Sequence, residues 1–209
     1  MAVRAEAVTP TFKPTELDQV VCTIALQLVA TDGCTTHSMG TAVLIADRLA
    51  LTAKHVADLC VSAYATQDTA TGWRDGFVLH AIQYGVKGAA FDWLVRKIYR
   101  CQISDLAVLY LAGEDSWAPG GFPALSLESP EIGEVVSAFG YAGLVDEADV
   151  HLVEPHPRTA RGQVVEVFLN GRDRVNLPWP SFHLNVRFDD AMSGGPIFDS
   201  SGVRPRFLS

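Results

Sequence analysis

Nearly every apolar run in this chain is short, and turn-forming residues stop each one after roughly four to ten positions. The runs are VVCTIALQLVA (20–30), MGTAVLIADRLALTAKHV (39–56), FVLHAIQY (77–84), FDWLVRKIYR (91–100), SDLAVLYL (104–111), EVVSAFGYAG (134–143), RGQVVEVFL (161–169), FHLNVRF (182–188) and GPIFD (195–199). Many short strands with little helix predict an all-β sandwich or barrel architecture. The second run is expected to be two strands around a turn at Asp47–Arg48. RGQVVEVFL and RVNL (174–177) are expected to form a hairpin around Asn170–Gly171, a strong turn signal. VADLCVSAYA (56–65) has room for one or two helical turns. SDLAVLYL reads as a buried strand.

The stretch GEDSWAPGGFPALSLESPEIG (113–133) breaks this pattern, being rich in Gly, Pro and Ser and without periodicity. It divides the chain into an extension over 1–19, a first β unit over 20–115, a connection over 116–133 and a second β unit over 134–209. An apolar fraction of 48% and a charged fraction of 19% suit a globular chain that buries a core. The net charge of −8, with no long basic run, argues against a nucleic-acid surface. The first nineteen residues carry acids and no apolar segment, and Val20–Ala30 is too short to span a bilayer. A cytoplasmic protein with no membrane partner is the expectation. Cys22, Cys34, Cys60 and Cys101 lack the spacing of a zinc site and are expected to be free thiols. His37, His80, His151, His156 and His183 lack companions in the sequence, so no metal site is expected.

The chemistry-bearing residues lie at the ends of the predicted strands. His55 follows LALTA, Asp105 opens DLAVLYL, and Ser193 sits in DDAMSGGPIFD. Taken singly, each has an ordinary structural explanation, since Ser, Gly and Pro form turns and polar residues often end strands. Together they supply a nucleophile, a base and an acid that can fix the tautomer of the base, which is what activation of a serine hydroxyl requires.

With those motifs in that order, the chain resembles the trypsin-like serine peptidases of the chymotrypsin fold, closest in flavour to bacterial members of the HtrA kind. GTAVLIADRLALTAKHV is similar to the family's hairpin ending in its histidine, DLAVLYL to the strand carrying its aspartate, and MSGGPIFD to the segment carrying its serine. VVSAFGYAG resembles a strand of its second barrel. The likeness runs from about Val20 to Asp199.

It implies two six-stranded antiparallel barrels and a serine endopeptidase acting on polypeptide without a cofactor. His55 would be general base and then acid, Asp105 would orient it, and Ser193 would form the acyl-enzyme. The backbone N–H groups of Ala191 and Ser193 would make the oxyanion hole, with Gly194 and Gly195 letting the chain turn tightly. Asp189 and Asp190 would favour a basic substrate side chain if they line the pocket, while Arg187 would oppose one.

Two departures from the family pattern stand out. Ala191 and Met192 replace the usual Gly and the acid or amide after it. Without an acid at 192, activation through an ion pair to a newly cut N-terminus is not expected. The second departure concerns the final residues, SSGVRPRFLS (200–209). Pro205 is expected to interrupt the strand there, leaving the second barrel incomplete. The resulting alternatives are completion by a partner chain or self-association, and a peptidase-fold protein that binds or regulates without turnover.

Overall fold

The computed structural model describes residues 24–31, 36–64, 73, 76–84, 90–113, 122–123, 125–126, 128–142, 156–175, 177–199 and the backbone of 205–207. Cys22, Cys34, His151 and residues 114–121, 124 and 127 of the 113–133 stretch lie outside the described residues, as does the 1–19 extension. Cys60 and Cys101 are free thiols.

The first β unit is a closed barrel. Its strands are β1 (Ala25–Thr31), β2 (Thr36–Ala46), β3 (Leu49–Ala53), β4 (Val78–Tyr84), β5 (Ala90–Arg100) and β6 (Leu106–Ala112), with α1 (Lys54–Tyr64) after β3. They close in the order β1-β2-β3-β6-β5-β4, every pairing antiparallel. Strand alternation fills the interior: Leu26, Leu28 and Ala30 from β1 meet Leu44, Leu79, Trp93, Leu109 and Leu111. The β2–β3 turn falls at Asp47–Arg48, as the sequence predicts, and Arg48 takes a left-handed φ of 56° there.

Two expectations for this unit change. SDLAVLYL buries only one face, with Ala107, Leu109 and Leu111 inside and Tyr110 exposed. The helix after β3 is longer than one or two turns and spans 11 residues. Its Val56, Ala57 and Cys60 are buried, so one face packs down on the barrel, and Val56 and Cys60 belong to its core.

The second unit is a five-stranded sheet in the order β11-β10-β7-β8-β9 that does not close. Its strands are β7 (Val135–Tyr141), β8 (Pro157–Phe168), β9 (Ser181–Leu184), β10 (Pro196–Phe198) and β11 (Pro205–Phe207). The hairpin partner of β8 is SFHL rather than RVNL. Asn170–Gly171 does turn the chain, with Gly171 at φ 86°. After that turn the Asp173 carboxylate accepts the Val175 and Leu177 N–H groups at 2.9 and 3.4 Å, competing with a ladder for those donors. Pairing therefore resumes only after Pro178 and Pro180. Pro205, expected to interrupt, instead begins a three-residue strand on β10, at the sheet edge where a missing N–H is tolerated.

Ile24 and Ala25 from the start of the barrel join Phe139, Tyr141 and Phe198 of the sheet in one apolar cluster, with Tyr84 packed against it. No helix among the described residues is long and apolar enough to cross a membrane.

Candidate active site

Strand register brings His55 to Asp105. β3 pairs with β6 up to Ala53 opposite Leu106, so the residues just beyond, Lys54 and Asp105, also lie side by side. The Lys54 N–H donates to the Asp105 carbonyl at 3.1 Å. The His55 N–H donates to Asp105 Oδ1 at 2.9 Å, and His55 Nδ1 lies 2.7 Å from Asp105 Oδ2. Asp105 thus accepts a free N–H in the first helical turn and holds the imidazole by the same carboxylate. With Nδ1 donating to the acid, Nε2 is the nitrogen left to accept a proton.

The electrostatics of the pair follow from that contact. The His55 pKa is raised above its ordinary 6.5, chiefly by the hydrogen bond to Asp105. Partial burial opposes the rise, while the charges of Asp105 and Asp58 add to it and that of Lys54 subtracts. Asp58, one helical turn after Lys54, bonds both Lys54 Nζ and Arg100 Nη1, the latter at 3.0 Å. The Asp58–Arg100 pair ties α1 to the end of β5.

Ser193 lies on a turn that is pressed against the barrel. The Met192 N–H donates to the Asp189 carbonyl at 3.3 Å and the Gly195 N–H to the Met192 carbonyl at 3.1 Å. Ala191 takes φ 67°, a left-handed conformation that costs a residue with a Cβ about 1–2 kcal/mol. Gly194, at φ 85°, has no room for a side chain: a Cβ would sit 2.2 Å from the Thr41 carbonyl oxygen and 2.3 Å from Thr52 Oγ1. At Gly195 a Cβ would lie 2.0 Å from the Phe139 carbonyl oxygen, and at Gly140 it would lie 2.8 Å from Met192 Cα. Both glycines are therefore demanded by close approach of the turn to β7.

The same contacts seat Ser193 beside the β3–α1 junction. A Cβ at Gly40 would be 2.8 Å from Val56, the neighbour of His55, and 3.0 Å from the Ser193 carbonyl oxygen. Ser193 itself is exposed, as is His55. Its hydroxyl has no hydrogen bond to His55 among the described residues, a contact that commonly tightens only when substrate is bound. The N–H groups of Ala191 and Ser193 are likewise unengaged among the described residues, leaving two donors on one turn for an anionic oxygen.

Arg187, Asp189 and Asp190 are all exposed. Arg158 Nε lies 3.5 Å from Asp189 Oδ2, which offsets part of that carboxylate's charge. No cluster of His, Cys, Asp and Glu among the described residues could hold a metal ion.

Sequence reasoning missed Thr41 and Thr52, which are fully buried. The Thr41 N–H donates to the Ser193 carbonyl at 2.8 Å and its hydroxyl to the Ala191 carbonyl at 3.0 Å. The Thr52 hydroxyl donates to the Thr41 carbonyl at 2.7 Å. Hydroxyls inside otherwise apolar strands were the signal, because a buried hydroxyl needs a partner.

The sequence profile described as the trypsin-like peptidase domain matches residues 40–203. The sequence matches none of the curated proteins at a significant level. Among solved structures, the crystal structure of Deg5 is similar with a TM-score of 0.62 and 18% identity, over 90% of this chain and 79% of that one. The active form of the Rv3671c protease from M. tuberculosis is similar with a TM-score of 0.52 and 16% identity, over 94% and 80%. Its inactive form gives 0.52 and 15%, over 89% and 76%.

Proposed function

From the premise that the chain belongs to the trypsin-like peptidase family of serine proteases, we propose that it cleaves polypeptides through Ser193, His55 and Asp105. Ser193 Oγ attacks the scissile carbonyl while His55 Nε2 takes its proton, and the same nitrogen then protonates the leaving amine. Asp105 keeps the ring in the tautomer with Nδ1–H and stabilises the imidazolium. The Ala191 and Ser193 N–H groups receive the oxygen that becomes negative as the tetrahedral intermediate forms. Collapse of that intermediate leaves an acyl-Ser193 ester, which water hydrolyses with His55 again as base.

The observation that carries this reading is the His55–Asp105 pair. One carboxylate accepts both the backbone N–H and the ring Nδ1–H of a histidine whose chain neighbour, Val56, and the Ser193 carbonyl both crowd Gly40. Substrate selection is proposed to involve Arg187, Asp189 and Asp190. Because Arg158 engages Asp189, that carboxylate attracts a basic substrate side chain less than an unpaired one would.

The test is labelling by a fluorophosphonate, which requires an activated serine and an oxyanion hole but little of a specificity pocket. Labelling of the protein that disappears in Ser193→Ala and in His55→Ala is the expected result. Labelling that persists in Ser193→Ala would overturn the assignment of the nucleophile.

A further inference from the structure

Thr41 joins three parts of the molecule that the proposed reaction needs in register. It lies in β2 of the barrel, fully buried, opposite Gln27 of β1. A threonine hydroxyl has one proton to donate and lone pairs to accept. Here the proton goes to the Ala191 carbonyl at 3.0 Å, and the oxygen accepts the Tyr141 N–H, also at 3.0 Å. Tyr141 is the last residue of β7, so one hydroxyl links the barrel, the sheet and the Ser193 turn.

The bond to Ala191 falls where the turn is least comfortable. Ala191 is left-handed although it carries a Cβ, and the direction of its carbonyl depends on that conformation. Its N–H and that of Ser193 are the two donors assigned to the oxyanion. Thr41 grips the carbonyls of these same two residues, Ala191 with its side chain and Ser193 with its backbone N–H at 2.8 Å. The Thr52 hydroxyl in turn fixes the Thr41 carbonyl at 2.7 Å. A residue that bonded only the backbone of Ser193 would leave Ala191 free to relax toward ordinary φ, turning its N–H away.

We propose that the Thr41 hydroxyl is a positioning group: it holds Ala191 left-handed, so that the turn rests with both donors aimed for the transition state. The inference rests on the proposed serine chemistry for its catalytic consequence, and on the geometry of the turn for its structural one.

The experiment combines fluorophosphonate labelling kinetics with amide hydrogen exchange of residues 191–195, in wild type, Thr41→Val, Thr41→Ser, Ala191→Gly and the Thr41→Val/Ala191→Gly double variant. Thr41→Val keeps the shape and removes the hydroxyl. It is expected to lower the maximal labelling rate by about 10²-fold, the scale of losing an oxyanion donor, with little change in the concentration at half-maximal rate. Exchange in the turn is expected to speed up. Thr41→Ser, which keeps the hydroxyl, should label within about threefold of wild type, the modest effect of losing one methyl. Adding Ala191→Gly to Thr41→Val should recover labelling relative to Thr41→Val alone, bringing it close to that of the Ala191→Gly single variant, because glycine is left-handed without a Cβ penalty.

A purely structural Thr41 would instead show lower thermal stability with no change in labelling rate, or a rate loss that Ala191→Gly leaves untouched. Either result overturns the inference. Should Thr41→Val fail to fold, Thr41→Cys against Thr41→Ser gives the same contrast, since a thiol is a weak donor of similar reach. If the wild type does not label but Thr41→Val still accelerates exchange at 191–195, the serine chemistry fails and the holding role stands. No labelling together with unchanged exchange removes both.

Discussion

Among the described residues the barrel holds two histidine–aspartate pairs of the same length, and only one stands beside the proposed nucleophile. His55 Nδ1 and His80 Nδ1 each lie 2.7 Å from a carboxylate oxygen, of Asp105 and Asp92 respectively. His80 thus has the companion that the sequence did not reveal, because Asp92 is its neighbour only through β4–β5 pairing. The two pairs are built in opposite senses. In the first, the acid side chain is buried at 5% exposure and the imidazole is open at 58%. In the second, the acid is open at 60% and the imidazole is mostly covered at 21%. Asp105 also accepts the His55 backbone N–H, whereas Asp92 meets His80 through the side chain. Distance therefore does not set the proposed base apart from the second pair. What matters is a sheltered acid that loses no strength to water and a base whose second nitrogen is accessible.

Substitutions can break that contrast, and the largest effect belongs to the bases themselves. His55→Ala is expected to lower kcat on a peptide substrate by about 10⁴-fold or more, whereas His80→Ala should stay within about twofold. Steady-state assays of the two purified variants would decide it, and comparable losses would mean that the second pair is not a bystander. The acids come next. Asp105→Asn is expected to cost about 10³–10⁴ in kcat by favouring the wrong tautomer, while Asp92→Asn leaves turnover nearly unchanged.

Stability should separate the same two acids more gently. Asp105→Ala removes a carboxylate that accepts a first-turn N–H of α1, with an expected loss of about 1–2 kcal/mol in denaturant unfolding. Asp92→Ala should fall within about 0.5 kcal/mol, as exposed ion pairs do.

The smallest effects appear in pH dependence. Because the His55 pKa is raised, the acid limb of kcat/KM should lie above 6.5. Asp58→Asn removes one of the charges that raise it and should move the limb toward lower pH, by less than Asp105→Asn does. The linkage to stability has the opposite sign. The contribution of the pair is fully present below about pH 6.5, the unfolded value, and is lost as pH rises through the folded one. Comparing wild type with His55→Ala in unfolding experiments should thus show the gap closing over the pH range in which turnover increases.

Residues with distinctive chemistry at strand ends were legible in the sequence, and residues acting through context were not. His55, Asp105 and Ser193 stood out because a base, an acid and a hydroxyl bordered apolar runs. Thr41 and Thr52 read as ordinary strand formers, and their roles arise from partners up to 150 positions away along the chain. The β2–β3 turn was local and readable, whereas the partner of β8 depended on whether Val175 and Leu177 gave their N–H groups to a strand or to the Asp173 carboxylate. The helix length was underestimated because its buried Val56, Ala57 and Cys60 give a helical face only against the barrel wall. Pro205 was weighed as a strand breaker when an edge position makes it harmless.

The division of the site between a closed barrel and an open sheet has a consequence for how the protein ages and inactivates. A ladder that closes on itself offers no end from which to fray, while an open one offers two. The histidine and aspartate belong to the first, while the serine turn, although bonded to Thr41 of the barrel, also packs on β7 and leads into β10 of the second. If the proposed chemistry holds, activity on warming is expected to report the loosening of the open sheet first, with the His55–Asp105 pair still in place. The expected outcome in a thermal series is that activity falls before the far-ultraviolet signal does and returns on cooling; simultaneous loss of both would show that the two units unfold together.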